Sequence, residues 1–250
     1  MDAPRNYSPA LTAAMIGLAP LLLCQGLYVR RTTPKLPEPE GLRSGEAGSG
    51  PTLRLLVIGD SAAAGVGAGR QEDALVGTIV AGLMKDFRVQ WVLHARTGET
   101  TRGATGRLAS ITEKRPPDTT RTVVVVSLGV NDVTSGRSIA KWIGDLEKLA
   151  ALLRDGFGAT EIMFSGLPPM HRFPALPQPL RWYLGARARL FDEALRAWAE
   201  SRPCCEYLQP PDGEYRGMMA SDGFHPGPAM YALWGAEAVR RICARTLGTA

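Results

Sequence analysis

Histidine is scarce in this chain and cysteine nearly so, with three of the first and four of the second among 250 residues. None of the cysteines (Cys24, Cys204, Cys205, Cys243) has the paired C-x-x-C spacing of a zinc or redox site. Vicinal cysteines rarely bond to each other, a bridge from Cys204 or Cys205 to Cys243 stays open, and free thiols are the simpler reading. A basic block interleaved with aromatics is also missing, although the net charge is +5, so the footprint of a nucleic-acid binder is absent. Gly65, Gly67 and Gly69 do not make G-x-G-x-x-G and come too late after the preceding apolar run, and no Gly-Lys-Ser/Thr follows. Neither a dinucleotide fingerprint nor a Walker loop is present. No repeat of fixed period is visible.

Charge is absent from residues 9–29, a run of about 21 residues, roughly the length that crosses a hydrocarbon core. The run lacks the basic start and small-x-small exit of a cleaved signal peptide. Arg30, Arg31 and Lys35 follow it and, by the positive-inside rule, place the rest of the chain on the cytoplasmic side, with export as the alternative. The expectation is an N-terminal hydrophobic helix anchoring the protein in a membrane over residues 1–31. Residues 32–51, rich in Pro, Gly and Ser, read as a flexible linker. A single domain fills 52–250.

What that domain does have is alternation. Apolar runs at 53–58, 89–94, 122–128, 161–165 and 204–208 read as strands. Helical-period stretches at 71–86, 101–114, 138–155, 181–201 and 228–246 separate or follow them. The order predicts an α/β fold with a five-stranded parallel sheet between helices. Four consecutive valines, Val123 to Val126, suit a strand buried on both faces. In such a sheet the loops after the strands converge on one edge, where ligands bind.

The first of those loops holds Gly59-Asp60-Ser61. A serine nucleophile needs a base, and histidine is the usual one. His94 lies within a predicted strand and reads as a packing residue; His171 lies in a proline-rich loop and reads as a surface or substrate-lining residue. His225 stands three positions after Asp222 at a loop-to-helix boundary. That spacing lets the carboxylate hold one ring nitrogen and leaves the other for Ser61, a nucleophile–base–acid triad. Donors for a developing oxyanion are the Ser61 N–H, the Gly98 N–H and the side-chain amide of Asn131. Asp60 and Asp132 read as supports that pin their turns.

The four blocks GDS at 59–61, the isolated Gly98, GVND at 129–132 and DGFH at 222–225 resemble, in order, the SGNH (GDSL-type) hydrolase family. Ala62 stands where a leucine often follows the serine, and the second block matches only around Gly98. The resemblance covers the chain from about residue 53 onward. It implies a flavodoxin-like three-layer α/β/α fold, no metal or organic cofactor, and hydrolysis of small-molecule esters or thioesters through an acyl-serine. It makes Ser61 nucleophile and oxyanion donor, Gly98 and Asn131 further donors, and His225 the base supported by Asp222. The loop 166–180 offers Met170 and Phe173, with Leu176 and Leu180, to an acyl pocket on a proline-stiffened backbone. A carbohydrate O-acetyl esterase is the alternative substrate class, and a membrane-tethered binding module without turnover is the alternative of another kind.

Overall fold

The computed structural model describes residues 9–111, 120–211 and 215–247. Six strands form one sheet: β1 (Ser44–Ala47), β2 (Thr52–Gly59), β3 (Arg88–Ala95), β4 (Arg121–Ser127), β5 (Glu161–Ser165) and β6 (Cys205–Leu208), in the order β1-β3-β2-β4-β5-β6. The nine α-helices among the described residues are α1 (Pro9–Thr32), α2 (Ser61–Ala64), α3 (Leu75–Leu83), α4 (Thr101–Ala109), α5 (Val130–Thr134), α6 (Ile139–Phe157), α7 (Leu180–Glu200), α8 (Tyr215–Met218) and α9 (Pro228–Leu247).

Strands β2 to β6 are mutually parallel, and the chain leaves β2 for β3 on one side and returns to β4 on the other. The crevice of a doubly wound sheet lies at that reversal, outside the carboxyl ends of β2 and β4. Side chains alternate across the strands. Val124 and Val126 join Leu56 and Ile58 in a core covered by α4, α6 and α7, while Val123 and Val125 join Leu55 and Val57 under α3 and α9. All four valines are buried, and each such side chain contributes on the order of 1.5–3 kcal/mol over its exposed state.

The sheet is mixed rather than purely parallel. Residues 44–47, expected to be linker, pair antiparallel with β3, from Ser44 opposite Val92 to Ala47 opposite Val89. Their SGEA sequence has no apolar alternation; backbone ladder bonds hold them, with Glu46 accepting from the Gln90 amide at 2.9 Å and only Ala47 packed against the core. The expected helix over 71–86 is broken: a 3-10 turn, Gln71–Asp73, precedes α3, and Ala74 between them is extended. Buried Gln71 turns its side chain back to donate to the Ala64 carbonyl at 2.9 Å, which fixes the break. Positions 112–114 of the helix expected at 101–114 lie outside the described residues.

The membrane span expected at 9–29 is overturned. No helix among the described residues is long and apolar enough to cross a membrane. With the span go the anchored topology and the membrane as a partner through this segment. The run is helical, but Gly17, Pro20, Gln25 and Gly26 dilute its hydropathy, and α1 lies against α7 instead. Leu22 is buried there. The Gln25 amide donates to the Gln178 carbonyl at 2.7 Å and accepts from the Leu180 N–H at 3.0 Å, capping the start of α7.

Candidate active site

Ser61 opens α2 directly after β2. Asp60 is the cap: its Oδ1 accepts the Ala62 N–H at 3.1 Å. The turn before it is tight because the Asp60 N–H donates to the Ser127 carbonyl of β4 at 3.1 Å. Only glycine fits at position 59, where a Cβ would stand 2.3 Å from that same carbonyl oxygen. Ser61 is thereby thrust out at the carboxyl edge of the sheet, in the crevice between β2 and β4.

The histidine that meets Ser61 comes from the far end of the chain. Asp222 accepts the N–H groups of Phe224 (2.9 Å) and His225 (3.0 Å) on Oδ1, which closes the turn and aims the imidazole. His225 Nδ1 lies 2.5 Å from Asp222 Oδ2, and its Nε2 lies 2.9 Å from Ser61 Oγ. The Asp222 side chain is fully buried and that of His225 is 18% exposed. Burial pushes the Asp222 carboxyl up, but the His225 ring and the two N–H groups outweigh it and hold it below the usual carboxylate value. An ionised carboxylate, an imidazole and a hydroxyl in line allow the hydroxyl proton to leave as its oxygen attacks.

Asn131 sits in α5, just beyond β4. Its Nδ2 donates to Asp60 Oδ2 at 3.1 Å and to the Glu99 carbonyl at 3.0 Å. Gly98 lies in the turn before α4 at φ +79°, with open space where a Cβ would be. Among the described residues no acceptor meets the N–H of Ser61 or of Gly98. Burial raises the Asp60 carboxyl to about 7.

Asp132 does not pin its own turn. Its Oδ2 accepts the N–H (3.0 Å) and hydroxyl (2.9 Å) of Thr101, whose oxygen in turn accepts the Trp142 indole N–H at 2.9 Å. The Asn131 turn and the Gly98 turn are thus fastened through one buried carboxylate, which burial pushes above its usual value despite those bonds. Nothing in the sequence spacing pointed to Thr101 or Trp142. The ion pair of Glu99 with Arg107, two bonds of 2.6 and 2.8 Å, ties the Gly98 turn to the helix α4 that follows it.

A cavity of about 80 Å³ opens from Ser61, Asn131 and His225 between the ends of β4 and β5. Leu128, Leu167, Phe173, Phe224 and Met230 line it. Of the two loop residues, Phe173 lines this cavity, whereas Met170 is packed into the core and does not line it. The Ala175 N–H donates to the Gly223 carbonyl at 3.1 Å, tying the 166–180 loop to the Asp222–His225 turn. His94 is partly buried on β3, with its ring 6.2 Å from Phe157. His171 is exposed on a 3-10 turn and lines a separate cavity. All four cysteines are free, and among the described residues no group of three or more His, Cys, Asp or Glu could hold a metal ion.

A doubly wound sheet with such a hydroxyl–imidazole–carboxylate line at its edge is the equipment of a serine hydrolase. Residues 57–233 match the GDSL-like Lipase/Acylhydrolase family, and the chain belongs to it; the family match makes the bond it cleaves an ester. Among solved structures, the fold is similar to that of the esterase EstA from Pseudoalteromonas sp. (TM-score 0.56, 20% identity, 78% of this chain and 99% of that one). It is also similar to TesA (TM-score 0.58, 23% identity, 76% and 97%) and to Axe2, an acetylxylan esterase from Geobacillus stearothermophilus (0.52, 16%, 76% and 94%). Among curated proteins none matches the sequence.

Proposed function

We propose that the chain is a serine esterase that cleaves carboxylic esters or thioesters of lipid-like or short-to-medium acyl groups. The single observation that carries this is the line Asp222–His225–Ser61, with contacts of 2.5 and 2.9 Å. As Ser61 Oγ bonds to the substrate carbonyl carbon, its proton passes to His225 Nε2, and Asp222 stabilises the imidazolium. The carbonyl oxygen becomes an oxyanion facing the N–H groups of Ser61 and Gly98. The Asn131 amide joins them once it lets go of the Glu99 carbonyl. His225 then gives its proton to the departing alkoxide or thiolate as the carbon–heteroatom bond breaks. A water repeats the sequence on acyl-Ser61 and releases the acid.

The apolar lining around Phe173, Phe224 and Met230 favours an acyl chain over a sugar as the occupant of the cavity. Two experiments test the reading. A fluorophosphonate should label the folded wild-type chain and not Ser61→Ala; absence of labelling, or labelling that survives the substitution, defeats it. A chain-length series of aryl esters set against acetylated sugars tests the substrate class. Turnover confined to acetylated sugars would replace the acyl-chain reading with the carbohydrate one.

A further inference from the structure

Beside the apolar cavity lies a second one of about 360 Å³ that the mechanism above does not use. Its floor is one stripe of α7, because Gly185, Arg189, Asp192 and Arg196 recur at i, i+4, i+7 and i+11. One wall is the 3-10 turn Met170–Arg172, which contributes His171 and Arg172. That turn seats directly on the helix because residue 185 has no side chain: a Cβ there would come 2.5 Å from His171 Cβ and 2.8 Å from its backbone nitrogen. The remaining wall, Leu167, Pro168, Pro210, Pro211 and Tyr215, also lines the cavity that holds Ser61. The two cavities are neighbours across one partition.

Among the described residues, three guanidinium groups and one imidazole face a single carboxylate in this cavity. The carboxylate is already engaged: Asp192 accepts the Tyr207 hydroxyl (2.9 and 3.0 Å) and the Leu167 N–H (2.8 Å). Arg196 lies over the Tyr207 ring at 4.7 Å and forms an exposed ion pair with Glu200 at 3.9 Å, and Arg172 lies 5.9 Å from the Tyr215 ring centre. Arg189 makes no ion pair or hydrogen bond among the described residues. His171 feels this field: burial first, then Arg172 and Arg189, hold its pKa below the ordinary histidine value.

We propose that this cavity is a subsite for an anionic group, a phosphate or a carboxylate, carried by the ester that Ser61 cleaves. The inference rests on the esterase reading above and narrows its substrate to esters charged on one half. Guanidinium forks on a helix stripe suit such groups because they bind two oxygens at once. The apolar partition would lie along the chain that joins anion and ester.

Two matched substrate pairs given to the full chain test it. A monoacylglycerol phosphate against the monoacylglycerol of the same chain places the anion on the alcohol half. An ω-carboxyl aryl ester against its methyl-ended counterpart places it on the acyl half. The expected result is a higher kcat/KM for the charged member of one pair, and that pair identifies the half. The advantage should shrink about tenfold for each guanidinium removed in Arg189→Gln and Arg196→Gln, recover in part in Arg189→Lys, and fade with salt. Fluorophosphonate labelling reports the esterase reading separately. A labelled wild-type chain with no preference for either charged ester, or a preference unchanged in the double Gln variant, overturns the subsite alone. A wild-type chain that is not labelled overturns the esterase reading and the subsite with it.

Discussion

Nε2 of His225 stands 2.9 Å from Oγ of Ser61, although 164 positions separate the two residues. The contact joins the first loop of the parallel sheet to the turn before its last helix. Ser61→Ala should abolish ester turnover, by roughly 10³-fold or more, while the circular dichroism spectrum stays that of the wild type. Asp222→Asn should lower kcat by about 10² to 10⁴, since the ring loses the partner that fixes its tautomer. Equal activity of Asp222→Asn and wild type would show that the carboxylate does not orient the base.

Asn131→Ala removes the side-chain amide proposed above as an oxyanion donor. The expected cost is about 10²–10³ in kcat with KM for a short aryl ester nearly unchanged, read by steady-state kinetics. A rise in KM at constant kcat would mean that the amide binds ground state and transition state alike.

Gly98 and Gly59 should respond to alanine in different ways. At Gly98 the cost is backbone strain at φ +79°, about 1–2 kcal/mol, because no atom lies within 4 Å of the new Cβ. Thermal unfolding should show a fall of a few degrees, and activity should fall further as the N–H is re-aimed. At Gly59 the Cβ meets the Ser127 carbonyl oxygen at 2.3 Å and Ala63 Cβ at 2.5 Å, so Gly59→Ala should lose far more stability.

Asp60 sets a pH dependence. Its carboxyl is raised from 3.8 to about 7 by burial, so the folded state holds a proton that the unfolded state releases. The stability this gives is complete below pH 3.8 and is lost as pH rises through about 7. Asp60→Asn keeps an acceptor for the Ala62 N–H and cannot ionise. Denaturant titrations across that window should show wild-type stability falling relative to Asp60→Asn as pH rises. Parallel curves would show that Asp60 does not titrate there.

The parallel strands were legible as apolar runs, and Ser61, Asn131 and His225 stood out because the first two closely follow such runs and the third lies in the turn before a helix. The topology of a doubly wound sheet then leaves their loops one edge to share. What escaped the sequence depends on contacts made without a pattern. Strand β1 pairs through its backbone and the exposed Glu46, which reaches Gln90 and Arg88, so SGEA carries no apolar signal. The uncharged run of α1 has the length of a membrane span, and only the docking of Gln25 and Leu22 shows its other use. Met170 and Phe173 sit in a loop with no period, where nothing tells the core-facing side chain from the cavity-facing one. Asp132 reaches Thr101 across 31 positions, beyond any local spacing rule.

The antiparallel strand at the margin decides where the chain can be cut. Without residues 44–47, the eight residues Arg88–Ala95 would become the sheet's outer border, with the N–H and C=O groups that now face β1 left open and Trp91 and Val92 among them. A strand of that length is a template for another copy of itself, whereas the four residues that cover it, bearing Glu46, are a poor one. A chain trimmed to begin at residue 52, where the domain seemed to start, should keep the residues around Ser61 yet self-associate. A chain that keeps residues 9–51, and with them both β1 and the packing of α1 on α7, should associate less than the trimmed one in light scattering.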